Sequence, residues 1–134
     1  MSNTRMRTFI VALSLMASAL ASAQDYPSRP VRIVVPYPPG GPTDVIVRVV
    51  GNRLGESLGQ PVVIENRAGA SGMIGAELVS KAAPDGYTLL VNPSIHVILP
   101  SLVAKMPFDA IKDFTHITLL VSVPLFPWST TPCP

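Results

Sequence analysis

The sequence predicts an α/β domain with a mainly parallel sheet covered by helices on both faces. Three observations carry this. Short β-branched runs recur along the chain, apolar residues at helical spacing separate them, and the junctions are rich in glycine and proline. Strands that alternate with helices of this length imply right-handed crossovers, and continuous apolar strands imply burial on both faces.

Val31 to Val35 (VRIVV) is the first strand. Val45, Ile46, Val49, Val50, Leu54 and Leu58 then recur at helical spacing until Gly59 stops the helix. Val62 to Glu65 is the second strand and NRAGASGMIG a loop. Ile74, Leu78, Val79 and Ala82 form a second helical stripe, and Pro84-Asp85-Gly86 is a turn. Tyr87 to Val91 is the third strand, Pro93 to about Val103 a third helix, and Ile117 to Val123 (ITLLVSV) a fourth strand.

The first residues read differently. Arg5 and Arg7 precede an apolar run from Phe9 to Leu20, followed by Ala21-Ser22-Ala23, a small-x-small cleavage pattern. This is the order of a secretory signal peptide, residues 1–23. The apolar run of about a dozen residues is shorter than the roughly 20 that a spanning helix needs. Export to the periplasm follows as the expectation.

Cleavage after Ala23 also changes the charge argument. The whole chain of 134 residues carries a formal net charge of +2, but without Arg5 and Arg7 its cationic and acidic side chains are equal in number. A neutral mature chain gives no electrostatic case for nucleic acid or an anionic membrane. Cys133 is the single cysteine, so no internal disulfide is possible.

The junction after the first strand, YPPGGPTD, concentrates the chemistry. In open α/β sheets ligands sit beyond the carboxyl ends of the strands. Gly40 and Gly41 let backbone approach a ligand, and Pro42 suits a first helical turn. Unpaired N–H groups at that helix start favour an anion such as a carboxylate. A tight strand-to-helix turn with no ligand fits the same residues. Asp44 reads either as a helix-start charge or as a pocket group that would accept a hydroxyl or ammonium.

AGASGMIG, after the second strand, stops short of a dinucleotide fingerprint: the first glycine is missing, and no acidic residue follows at the required distance. Gly69 to Gly75 reads better as a second wall of a ligand pocket. No metal-ligand spacing, nucleophile motif or phosphate loop is present, so neither an enzyme nor a cofactor is expected. His96, in NPSIHV after the third strand, lies at the end of the sheet where a pocket would form.

YPSRPVRIVVPYPPGGPTD, LGQPVVIENRAGASGMIGAELVSKAAPDGYTLL and PFDAIKDFTHITLL together resemble the Bug-type extracytoplasmic solute receptors of tripartite tricarboxylate transporters. The likeness runs from Tyr26 to about Pro124. It implies a type II periplasmic-binding-protein fold that closes two lobes on a small carboxylated solute and passes it to membrane permease subunits. No chemistry and no cofactor are required. In that family the strand-to-helix loops of the first lobe hold a ligand carboxylate, partly through water. They match Tyr37, Pro39, Gly40, Gly41, Thr43 and Asp44, then Ala70, Ser71 and Gly72, then Asn92 to His96 with Ser94 and His96. Pro42 and Thr43 fall at positions that vary in the family.

The chain departs from the resemblance at its end. Residues 24–124 correspond to part of the first lobe only, with the second lobe absent, and residues 125–134 are proline-rich where the family continues with an apolar segment. Read from the third base of the Phe126 codon, the next codons permit a Pro-Leu-Val-Asn type of run closer to the family. The expectation is a frameshift after Pro124 and impaired solute binding. The alternative is a partly folded remnant that binds no ligand.

Overall fold

Val31–Val35 forms β1, the centre of a three-stranded sheet, and its composition explains the place: Val31, Ile33, Val34 and Val35 are all buried. The computed structural model describes residues 26–122. Helix α1 spans Pro42–Leu58 and β2 spans Val62–Asn66. A single 3-10 turn at Ala70–Gly72 leads into α2, Met73–Ser80, and β3 spans Thr88–Leu90. The last helix, α3, is Ile95–Leu102. The chain divides into two compact units between Pro93 and Ser94.

In the first unit the strand order is β2-β1-β3 and both ladders are parallel. Val31 pairs with Val62 and Val35 with Asn66, while Arg32 pairs with Thr88 and Val34 with Leu90. Flanking bonds extend the ladders: Arg67 N donates to Val35 O at 2.8 Å and Val91 N to Val34 O at 3.1 Å. The first crossover runs from β1 to β2, and the second runs back the other way from β2 across β1 to β3. Right-handedness therefore puts α1 and α2 on opposite faces.

Packing follows that division. Ile33, Val35 and Val47 make the core beneath α1, with Leu54, Val62, Ile64, Leu89 and Val91 packed around it. These strand residues share one face, by the two-residue period of a strand. Val34 points the other way and is fully buried, as is Ala76 of α2. Gly59 ends α1 in the left-handed conformation, φ 66°.

A clasp fixes the start of the described chain. The Tyr26 hydroxyl donates to Gly86 O at 2.7 Å, Ser28 N donates to the Tyr87 hydroxyl at 2.9 Å, and Arg29 pairs with Asp85 at 2.7 Å. Gly86 has φ 81°, and a Cβ there would lie 3.1 Å from the Tyr26 hydroxyl. The turn accepts only glycine comfortably.

The fourth strand expected at Ile117 to Val123 is a correction. Residues 117–122 carry no regular structure, and Ile117 is 75% and Leu119 79% exposed. A strand forms only where its backbone groups find a ladder, and among the described residues this segment has no partner strand. Val123, the expected signal peptide at 1–23 and the proline-rich residues 125–134 lie outside the described residues. Among the described residues, no helix is long and apolar enough to cross a membrane.

Two glycines test the helix packing. A Cβ at Gly75 would lie 2.7 Å from Pro36 Cβ and 3.0 Å from both Arg67 O and Pro36 Cα, largely against backbone and a rigid ring. At Gly51 it would meet the tip of Ile64 at 3.3 Å. Alanine improves intrinsic helix stability by about 1 kcal/mol at either site, whereas overpacking costs about 1–3 kcal/mol. Gly75→Ala is therefore expected to lower the urea midpoint, and Gly51→Ala to leave it nearly unchanged. Equal effects would show that α2 does not depend on this close approach.

Candidate functional site

The loop after β1 is stiff by composition. Pro36, Pro38, Pro39 and Pro42 fix their own φ and carry no N–H. Gly40 supplies the one left-handed turn, φ 82°. Gly41 caps α1 in an extended conformation, Pro42 occupies the first turn, and no side chain caps the helix. The first intrahelical bond is Val45 N to Gly41 O, 3.0 Å. The amides of Thr43 and Asp44 precede it and so have no acceptor within the helix.

Asp44 lies beneath this loop, only 2% exposed. Its Oδ2 accepts from Gly40 N at 2.9 Å and from Arg48 Nε at 2.8 Å, and its Oδ1 accepts from Asn66 Nδ2 at 2.9 Å. Asn66 Nδ2 also donates to Tyr37 O at 3.1 Å, and the Tyr37 hydroxyl donates to Asn92 Oδ1 at 3.2 Å. The hydrogen bond from Arg48, then those from Gly40 and Asn66, hold the Asp44 carboxyl well below the usual carboxylate range. Burial pushes the Tyr37 phenol up.

The second loop is unusual in backbone. Gly69, Ala70, Ser71 and Gly72 have φ of 137°, 47°, 56° and 92° in succession. Side chains at such φ are strained, so the surrounding bonds must hold Ala70 and Ser71 in place. Gly72 N donates to Gly69 O at 2.9 Å, and Met73 N to Ala70 O. A Cβ on Gly72 would lie 3.3 Å from the Tyr37 hydroxyl. Tyr37 thus joins the first loop to the second.

Of the residues that the sequence singled out, the first unit links Tyr37, Gly40 and Asp44 in one hydrogen-bonded network through Asn66, with Gly72 packed close to the Tyr37 hydroxyl. Pro39, Gly40, Ala70 and Ser71 are exposed, and Gly41 and Thr43 are half-buried. In the second unit Ser94 is exposed and His96 buried. The His96 ring stacks on Phe108, with centroids 5.9 Å apart, and meets Phe114 edge-on at 4.9 Å. Burial lowers its pKa against the opposing effect of a hydrogen bond with the Ala110 backbone. A concavity of about 460 Å³ lined by Gly51, Gly55 and Pro61 opens at the amino end of β2, away from these loops.

Sequence reasoning missed Asn66 and Arg48. The signals were present: a polar residue closing an apolar strand at its carboxyl end, and an Asp-Arg pair four apart on a helix. Among the described residues, no group of three or more His, Cys, Asp or Glu side chains could hold a metal.

The ionisation states lead to two expectations. A folded-state pKa below the unfolded value means that Asp44 stabilises the fold above about pH 3.9, and that this contribution is lost as pH falls. Asp44→Asn is expected to be less stable at neutral pH and to show a flatter acid limb in urea titrations. A wild-type acid limb that Asp44→Asn leaves unchanged would refute the assignment. His96 should titrate by NMR with a midpoint below about 6.5, because burial disfavours its charged form. A midpoint above that value would place the ring outside its aromatic enclosure.

Comparison with known proteins bears on what these loops serve. The profile of the tripartite tricarboxylate transporter family receptor, TctC, matches residues 46–129. Protein BugT of Bordetella pertussis is 46% identical over 110 residues, covering 81% of this chain and 34% of its own length. MatC from Rhodopseudomonas palustris, solved with bound malate, is 43% identical with a TM-score of 0.67, covering 71% of this chain and 33% of that one. An R. palustris protein solved with adipate is 48% identical with a TM-score of 0.52, covering 54% of this chain and 24% of that one. The chain spans about a third of the length of the curated relatives that it matches. The sequence and fold together place it in a known group: the chain belongs to the TctC family, the solute receptors of tripartite tricarboxylate transporters.

Proposed function

We propose that the first unit supplies one wall of a periplasmic binding site for a small carboxylated solute, delivered from there to the permease subunits of a tripartite tricarboxylate transporter. The observation that carries this is the uncapped start of α1. There the Thr43 and Asp44 amides follow a proline-stiffened loop at the carboxyl end of the central strand. Helix starts of this kind favour carboxylates, and the carboxyl ends of a parallel sheet are where such ligands sit. Relatives solved with malate and with adipate support the solute class.

In this reading Gly40, Gly41 and Thr43 present backbone, Tyr37 and Gly72 join the two loops, and Ala70 and Ser71 form the second wall. Ser94 and His96 belong to the second unit as candidates for the loop after β3. Residues 1–23 export the chain and are removed. Residues 24–124 form part of the first lobe.

A second reading, a partly folded chain that binds nothing, draws on one observation. Ile111, Ile117, Leu119 and Val121 expose large apolar surface. Surfaces of that kind invite association.

Titration of isotopically labelled protein with malate, adipate and the uncharged diamide of malate separates the readings. Carboxylates are expected to shift the amide signals of Gly41, Thr43, Asp44 and residues 70–72, and the diamide is expected not to. Equal responses to the diamide, or none to any carboxylate, would refute the proposal. Small-molecule sites enclose most of a ligand's surface, and the described loops form a single wall. Calorimetry on residues 24–134 is therefore expected to give affinities weaker than about micromolar, or a binding free energy smaller than about 8 kcal/mol. Tight binding by a monomeric, cooperatively melting chain would overturn that expectation.

A further inference from the structure

The reading above leaves a physical difficulty. The proposed seat for an anion lies at the start of α1, yet a carboxylate, Asp44, is buried in the same turn. Two like charges a few ångströms apart oppose one another, most strongly where water is scarce. Resting on the proposed function, we infer that Asp44 is a positioning residue rather than a solute contact, and that Arg48 determines specificity by cancelling its charge.

The geometry supports both halves. At 2% exposure Asp44 has almost no surface to offer a solute. Its oxygens face the protein: Gly40 N, Arg48 Nε and Asn66 Nδ2 all donate to it within 2.9 Å. The bond to Gly40 closes the loop over the carboxylate. The bond to Asn66, the last residue of β2, ties that loop to the strand from which the second loop departs. Arg48 completes the arrangement. Its Nε holds Asp44, and its Nη2 donates to Asn66 Oδ1 at 3.4 Å. The helix start thus keeps its N–H donors and helix dipole, with no uncompensated negative charge beside them. Because Arg48 is half-exposed, 52% at the side chain, this compensation is sensitive to salt.

The test uses the full chain with malate as probe, in wild type, Arg48→Gln, Asp44→Asn and the double variant, each checked for wild-type circular dichroism. Arg48→Gln leaves the Asp44 charge uncompensated and is expected to weaken malate binding about three- to tenfold at low salt, the deficit shrinking as ionic strength rises. The double variant removes both charges and is expected to recover most of the loss. A purely structural role predicts the reverse, with the double variant at least as weak as the single one and no salt dependence. Wild-type affinity in Arg48→Gln, or no recovery in the double variant, overturns the charge-cancelling role.

Hydrogen exchange at the Gly40 amide reads the positioning role without any ligand. The amide should be protected in wild type and exchange faster in Asp44→Asn, and equal rates overturn it. If wild type responds to neither malate nor any other carboxylate, the solute-binding reading fails and the charge-cancelling role with it. The exchange measurement still decides the positioning role of Asp44.

Discussion

A buried carboxylate at the start of α1 organises the end of the sheet where the loops meet. Leaving such a group without donors is costly, so the chain has to bring them to it. Gly40 comes from the loop above, Arg48 from the next turn of the helix, and Asn66 from the neighbouring strand. Once Asn66 is held, its second N–H bond fixes the Tyr37 carbonyl, and the Tyr37 hydroxyl reaches Asn92 beyond β3. One charge therefore sets the relative placement of three strand ends that are far apart in sequence. The prolines serve the same purpose from the other side, removing freedom that these bonds would otherwise have to restrain.

Most of the fold was legible because its elements are locally consistent. β1 is a run of β-branched residues, α1 has its apolar stripe, its proline at the start and its glycine at the end, and the Pro84-Asp85-Gly86 turn precedes β3. Boundaries shifted by a residue or two, as with β3, which runs from Thr88 to Leu90 rather than from Tyr87 to Val91. The segment at 117–122 shows where such reading stops. Its apolar, partly β-branched run is strand-like, but pattern states only what a segment could do. Pairing decides whether it becomes a strand, and pairing depends on distant chain.

The loops divide in the same way. Gly40 and Gly72 could be recognised because a backbone that must turn or approach closely requires glycine, and the structure gives both left-handed φ. Asn66 and Arg48 carried only weak local signals, a polar strand end and an Asp-Arg spacing of four, and their joint importance lies in a three-dimensional meeting at Asp44. Ala70 and Ser71 were hidden for another reason. Nothing in their chemistry announces a left-handed backbone, which the adjoining glycines and the Gly72 N bond to Gly69 O impose on them. His96 read from the sequence as a residue at the end of the sheet where a pocket would form, and its aromatic enclosure by Phe108 and Phe114 comes from residues beyond the reach of local pattern.

The clasp at Tyr26 has a bearing on the order in which the unit can assemble. It joins residues sixty positions apart, Tyr26 to Gly86, and the same turn opens β3, the strand that completes the sheet. A contact of that span must close a long loop before it returns any stability, and such non-local closures slow folding. β1 and β2 have their pairing and the intervening α1 within one βαβ stretch, so they can associate while the rest is still unfolded. The first residues of the described chain are then among the last to dock. During synthesis, the Tyr26 segment is made before Gly86 and Tyr87 and waits for their arrival before it is held.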